Sequence, residues 1–140
     1  MKSAKWLAVF VLFIGAFIAI NAFIASWGIG LANQVINDPS VFDSADIIAL
    51  AREVRPALLF QIAQGAIFAV LALVAAYGMI RGKWWGLRIW RWTSLALIVS
   101  ALMLILLLPR AWDYPAMLVA YGCISWWMVR EAEKANASAP

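Results

Sequence analysis

The chain has no histidine and one cysteine, Cys123, and its four longest apolar stretches contain no Asp, Glu, Lys or Arg. Without histidine, histidine-ligated haem, histidine-ligated chlorophyll and most zinc or copper sites lack a ligand. A lone cysteine allows no intrachain disulfide and leaves the redox compartment open. Apolar stretches free of ionisable groups lack the usual mark of proton relays, ion paths and charged-substrate sites. The sequence also lacks a Cys-x-x-Cys pair, a His-Glu-x-x-His motif and any serine with a histidine base. Neither an enzyme nor a cofactor is expected.

What the chain does have is apolar length. Of its 140 residues 66% are hydrophobic and 13% charged, with a mean hydropathy of +0.90, too much apolar surface for so short a soluble domain to hide. A bilayer core about 30 Å thick takes about 20 apolar helical residues to cross. On that scale an all-α, four-span membrane bundle is expected as a single membrane domain over residues 1–140. Its spans are read at Trp6 to Leu31, Ala57 to Ile80, Trp92 to Leu108 and Ala116 to Val129, followed by a polar tail over 130–140. The first stretch follows a short basic start, as a secretory signal does. It is longer than the usual apolar region of a signal, about 7 to 15 residues, and lacks a clear small-x-small exit, so a retained helix is expected. The fourth is short, but Trp126 and Trp127 can hold its end at the interface.

Orientation follows from the basic residues. Lys2, Lys5, Arg81, Lys83, Arg88, Arg91, Arg130 and Lys134 fall on the side of the termini and middle loop, whereas Arg52, Arg55 and Arg110 fall opposite. The positive-inside rule places both termini in the cytoplasm and folds the chain as two antiparallel hairpins. The net charge of +4 is explained by these flanking residues, and no nucleic-acid partner is expected.

Between the first two spans, Ala32 to Arg55 is the one substantial segment outside the membrane. Asn37-Asp38-Pro39-Ser40 signals a turn, and Asp43 or Ser44 can cap a short helix, about 44–55, that must stop near Pro56. Ile47, Leu50, Ala51 and Val54 share one face of it, so it can rest on the outer leaflet or serve as a solvated connector. The other outer turn, Pro109 to Pro115, joins the last two spans tightly.

The most distinctive segment is the middle loop, 81–92. It sets Arg81, Lys83, Arg88 and Arg91 beside Trp84, Trp85, Trp90 and Trp92. Indoles favour the headgroup level, and basic side chains there reach lipid phosphates or stack on the rings. Seven of the nine tryptophans, Trp6, Trp126 and Trp127 included, lie on this side. Such a belt is an ordinary membrane anchor or a specific contact for anionic headgroups or a partner. The stretch from Tyr77 to Leu95, with its Tyr-Gly-x-x-Arg-Gly-Lys-Trp-Trp-Gly-x-Arg core, resembles the loop of many small uncharacterised bacterial four-helix membrane proteins. That resemblance implies a bacterial inner membrane and carries over no activity and no site residues.

Within the spans, Asn21 and the pair Gln61 and Gln64 fall at similar depth, and buried amides need partners, so they are expected to bond one another or a neighbouring helix. Ser100, Tyr121 and Ser125 can add polar contacts, although serine also bonds its own backbone. Small residues recur along Gly15, Ala19, Ala22, Ser26 and Gly30 and along Gly65, Ala69, Ala72 and Ala76, marking the first two spans as a tightly packed pair. Small four-helix multidrug exporters match in size and helix count, but proton-coupled export needs a titratable membrane group that no span has. The remaining function classes are an accessory or scaffolding subunit of a larger membrane complex, packing against proteins, lipids or pigments, and a passive carrier or lipophile-binding protein.

Overall fold

A computed structural model describes residues 2–38, 40 and 44–137. Among them the chain forms four α-helices and one short 3-10 turn, with no strand. α1 is Lys2–Asn37, α2 Ala45–Ile80, α3 Trp84–Leu107 and α4 Asp113–Ala137, with the 3-10 turn Pro109–Ala111 between the last two. Three of the helices, α1 from Lys5 onward, α2 and α3, are long and apolar enough to cross a membrane.

α1 and α2 pack along much of their length, α3 lies on α2 and α4, and α1 touches α4 only slightly. The buried face is built from Leu7, Ala8, Val11, Ile14 and Ile18 of α1, Phe68, Ala72, Ala75 and Ala76 of α2, and Leu97, Ala101, Leu104 and Leu118 of α3 and α4. The opposite faces expose Phe13, Ile20, Phe23, Ile67, Val70, Leu73, Val99 and Leu106. Large apolar residues cover the outside as well as the inside, unlike the polar exterior of a water-soluble protein, and the small residues Ala8, Ala72, Ala75, Ala76 and Ala101 let the helices approach. A bilayer supplies no hydrophobic drive between helices, so close packing of small residues holds them together instead.

Only part of the two small-residue stripes does that packing. A Cβ on Gly15 would meet Ala72 and one on Gly65 would meet Ala22, so these positions are true close contacts. Ala19 and Ser26 are exposed and Gly30 faces open space. The interior row of α1 runs instead through Leu7, Val11, Ile14, Ile18 and Ala25, which at about 100° per residue lies roughly a quarter-turn around the helix from the small-residue stripe.

Several boundaries differ from those read in the sequence. The short outer helix and the second span form one helix, α2, which passes through Pro56. Proline removes one backbone donor and leaves the carbonyl four residues back, that of Arg52, without its helical partner; Arg52 and Pro56 are both exposed. α1 likewise continues past Leu31 to Asn37, and Ala51 packs with Ala32 and Val35, flanked by Ile36 and Ile48. The start of α2 thus leans on α1 rather than lying apart as a separate helix. Ser44 takes the N-cap position without a side-chain cap bond, and the alternative cap Asp43, like Pro39, lies outside the described residues. At the far end the tail is helical to Ala137, because Ala132 is buried against the core and Lys134 pairs with Glu131 at 2.7 Å one turn away.

The middle loop shrinks most. α2 ends with Gly82 N–H donating to the Met79 carbonyl at 3.0 Å and Lys83 N–H to the Gly78 carbonyl at 2.8 Å. Gly82 sits at φ 67°, where a side chain is strained, so the chain reverses within three residues and α3 starts at Trp84 instead of Trp92. The reversal brings Gly86 onto Gly78. A Cβ on Gly86 would lie 2.6 Å from the Met79 nitrogen and 2.7 Å from the Ala75 carbonyl oxygen, backbone atoms that cannot swing aside. Replacing Gly86 with Ala should therefore force α2 and α3 apart and cost roughly 1–3 kcal/mol. Unfolding in mixed detergent should show this loss, and Gly30→Ala, in open space, serves as the neutral comparison.

Candidate functional site

The segment 81–92 divides by helix geometry into an inward and an outward set. Gly86, Leu87, Trp90, Thr93 and Ser94 turn into the bundle, and Trp90 is 0% exposed. Its indole Nε1 has no hydrogen-bond partner among the described residues. Trp90 is thus core, and it leaves the group of lipid- or partner-facing residues in which the sequence placed it. Burial wins because Gly86 admits α3 so close to α2 that the next inward positions fall in the packed interior.

The outward set stays together. Trp84, Trp85 and Trp92 are exposed, with Trp92 at 65%. The Arg88 guanidinium lies 6.0 Å from the Trp84 ring centre and that of Arg81 5.4 Å from Tyr77, while Lys83 is exposed in the turn. Stacking on an aromatic face leaves most of a guanidinium's donors free for another partner.

Arg91 points elsewhere, toward α4. Its guanidinium lies 5.0 Å from the Trp126 ring centre, and its Nη1 is 3.4 Å from a Glu133 carboxylate oxygen. Around it opens a cleft of about 480 Å³ lined by Arg91, Trp126, Arg130, Glu133 and Lys134. Trp126, Arg130 and Lys134 follow one another at intervals of four, which stacks them on one face of α4. In the sequence Arg130 and Lys134 read as part of a polar tail and bear only on orientation. Their four-residue spacing from Trp126 was the available signal, but no local pattern says that Arg91, far away in the chain, faces them.

The amides of the apolar helices also separate. Asn21 donates from Nδ2 to the Phe17 carbonyl of its own helix at 2.8 Å. Gln61 reaches the backbone carbonyl of Asn21 with its Nε2 at 3.4 Å, so α1 and α2 are linked there without a bond between the two side chains. Gln64, three residues on, faces α3 and donates to Ser100 Oγ at 2.7 Å, and Ser100 in turn donates to the Leu97 carbonyl at 2.9 Å. Residues three apart on a helix differ by about 60° in direction, enough to send the two glutamines to different neighbours. Among the described residues no group of three or more His, Cys, Asp and Glu side chains is placed to hold a metal ion. No protein-family model, curated protein or solved structure matches the chain.

Gln64→Leu and Ser100→Ala should show non-additive losses in a double-mutant cycle, with a coupling of about 1 kcal/mol. The pair Asn21→Leu and Gln61→Leu should be close to additive, since their link runs through a backbone atom that the first change leaves in place. Additivity at Gln64 and Ser100 would mean that the two side chains do not share a bond. Trp90→Ala should cost about 3–5 kcal/mol in detergent unfolding, as for a core indole. Trp92→Ala should change stability little, and equal losses at the two positions would argue against the inward and outward division.

Proposed function

We propose that the chain is a non-catalytic, multi-pass protein of a bacterial inner membrane that acts as an accessory or scaffolding subunit, binding membrane lipids and packing against a larger membrane complex. The observation that carries this reading is the pairing of a lipid-like apolar exterior with a cluster of arginines and indoles at one end of the bundle. Apolar helix faces provide contact area for lipids, pigments or neighbouring helices, and the basic, aromatic end is chemically suited to anionic headgroups. The absence of histidine and of any charge in the apolar stretches favours a role without bond chemistry.

In this reading all four helices cross the bilayer as two antiparallel hairpins. α4 is 25 residues long, about 37 Å at 1.5 Å per residue, and packs along α3, so an α3 that spans takes α4 across with it. Two contacts support the grouping of the ends. Arg91 with Glu133 joins the start of α3 to the end of α4, and Arg110 with Glu53, at 3.9 Å, joins the outer turn to the start of α2. The first end carries most of the basic residues, which sets it in the cytoplasm with both termini.

A second reading, a passive carrier or lipophile-binding protein, draws on an apolar groove of about 280 Å³ between α1 and α2, lined by Leu12, Gly15, Ala16, Ala19, Ala69, Ala72 and Leu73. It opens beside a well-packed helix pair, which favours the scaffold.

Reporter fusions after residues 38, 82, 112 and 137 should read outside, inside, outside and inside. An outside signal at 82 or 137 would overturn the topology. Mild-detergent purification should recover a membrane-protein partner in fixed ratio, and a chain that elutes alone from its native membrane with only a lipophilic small molecule would favour the carrier.

A further inference from the structure

We propose that the cleft between the start of α3 and the end of α4 is a binding site for a single phosphate-bearing anionic lipid headgroup, with Glu133 as a built-in competitor for its arginine. The assignment deepens the membrane-scaffold reading and rests on it, because it requires this end of the bundle to lie at headgroup level.

The case begins with charge. Arg91, Arg130 and Lys134 line the cleft; Glu133 faces Arg91 and Glu131 holds Lys134 at 2.7 Å, so three cations stand against two carboxylates and the cleft is net positive. Arg130 and Lys134 rise from α4 one turn apart, while Arg91 comes across from α3, which surrounds the space from two helices. Arg91 is already oriented, with the Trp126 ring 5.0 Å away on one side and Glu133 3.4 Å from its Nη1 on another. An oriented guanidinium loses little freedom on binding, and its planar fork matches two non-ester oxygens of a phosphate.

The surroundings favour a lipid as the source of that phosphate. Trp126 is half-buried in the lining and its neighbour Trp127 is 63% exposed, so two indoles mark headgroup depth directly beside the cations. A headgroup held here keeps its acyl chains along the apolar exterior of α3 and α4. A volume of about 480 Å³ accommodates a glycerophosphate-sized group.

Glu133 gives the site its distinguishing property. Its side chain is 19% exposed against 45% for Arg91, so the carboxylate is the more enclosed partner of a loose pair. A phosphate entering the cleft meets this negative charge and must take over Arg91 from it. Removing the charge therefore strengthens binding, whereas an ordinary stabilising ion pair would weaken the site when broken.

The test is native mass spectrometry of the full chain in neutral detergent at low salt, titrated separately with phosphatidylglycerol, phosphatidylcholine and inorganic phosphate. One phosphatidylglycerol should be retained beyond those matched by phosphatidylcholine. Arg91→Gln and Arg130→Gln should each reduce that retention roughly fivefold, the factor that one cation near an anionic lipid contributes. Glu133→Gln should raise it, an outcome that misfolding cannot mimic, and Arg110→Gln at the other end should leave it unchanged. If Arg81→Gln and Arg88→Gln weaken retention as much as the cleft variants while Glu133→Gln has no effect, the site fails and the diffuse basic belt stands. If phosphatidylglycerol is held no better than phosphatidylcholine, headgroup recognition and the site both fail. Displacement of the lipid by millimolar inorganic phosphate would assign the cleft to a soluble anion and overturn the lipid.

Discussion

Where α2 passes α3, Gly78 and Gly86 lie so close that neither can carry a Cβ without striking the other helix, and this contact decides which face of α3 turns inward. The turn at Gly82 delivers the two glycines to each other within a few residues. Once they meet, Trp90 and Ser94, one and two turns beyond Gly86, are committed to the interior, where Ser94 donates to the Trp90 carbonyl at 2.8 Å. The same rotation turns Arg88 and Trp92 outward and aims Arg91 at α4. Gly122 repeats the device on the other side of α3, admitting Ile98 and the Ser94 carbonyl. The bundle is thus held by backbone proximity at a few glycines and alanines, as expected where burial of apolar surface supplies no preference for helix contact over lipid contact.

Polar groups inside such a bundle are few, and their placement is economical. Asn21, Thr93, Ser94 and Ser100 all return hydrogen bonds to their own helices, which satisfies them without fixing a neighbour. Among the described residues of the apolar interior, Gln61 and Gln64 reach across, one to α1 and one to α3. α2 is therefore the central helix by hydrogen bonding as well as by packing, and the amides add specificity to contacts that small residues already permit. Their modest strength in membranes fits that supporting role.

The two ends of the bundle are chemically unlike. At the end that holds the 3-10 turn, Arg110 reaches Glu53 at 3.9 Å, with both side chains well exposed, an arrangement of little energetic weight. At the other end the guanidiniums of Arg81, Arg88 and Arg91 each rest on an aromatic ring, and Arg91 also borders the cleft with Arg130 and Lys134. Cations supported by rings and concentrated at one end suit an anionic surface better than an internal ion pair does, since stacking orients the charge without neutralising it. The proposed lipid-contact role and the proposed cytoplasmic placement of this end rest on the same residues.

Composition and periodicity alone were enough for an all-helical chain with long apolar helices, because apolar run length is a local property and a bilayer core accepts little else. The basic and aromatic character of residues 81–92 was equally plain in the sequence. What the sequence did not reveal was direction. Pro56 reads locally as a helix end, yet α2 continues through it with Ala51 and Ala57 buried on either side. Trp90 and Trp92 are alike in composition, and only the Gly78 to Gly86 contact makes one core and the other surface. Gln61 and Gln64 sit three residues apart but belong to different interfaces. The sequence by itself determined which residues can enter an apolar phase, a matter of transfer free energy residue by residue. Tertiary structure alone decided which of them meet, since a helix presents every direction and only packing against a particular neighbour selects one.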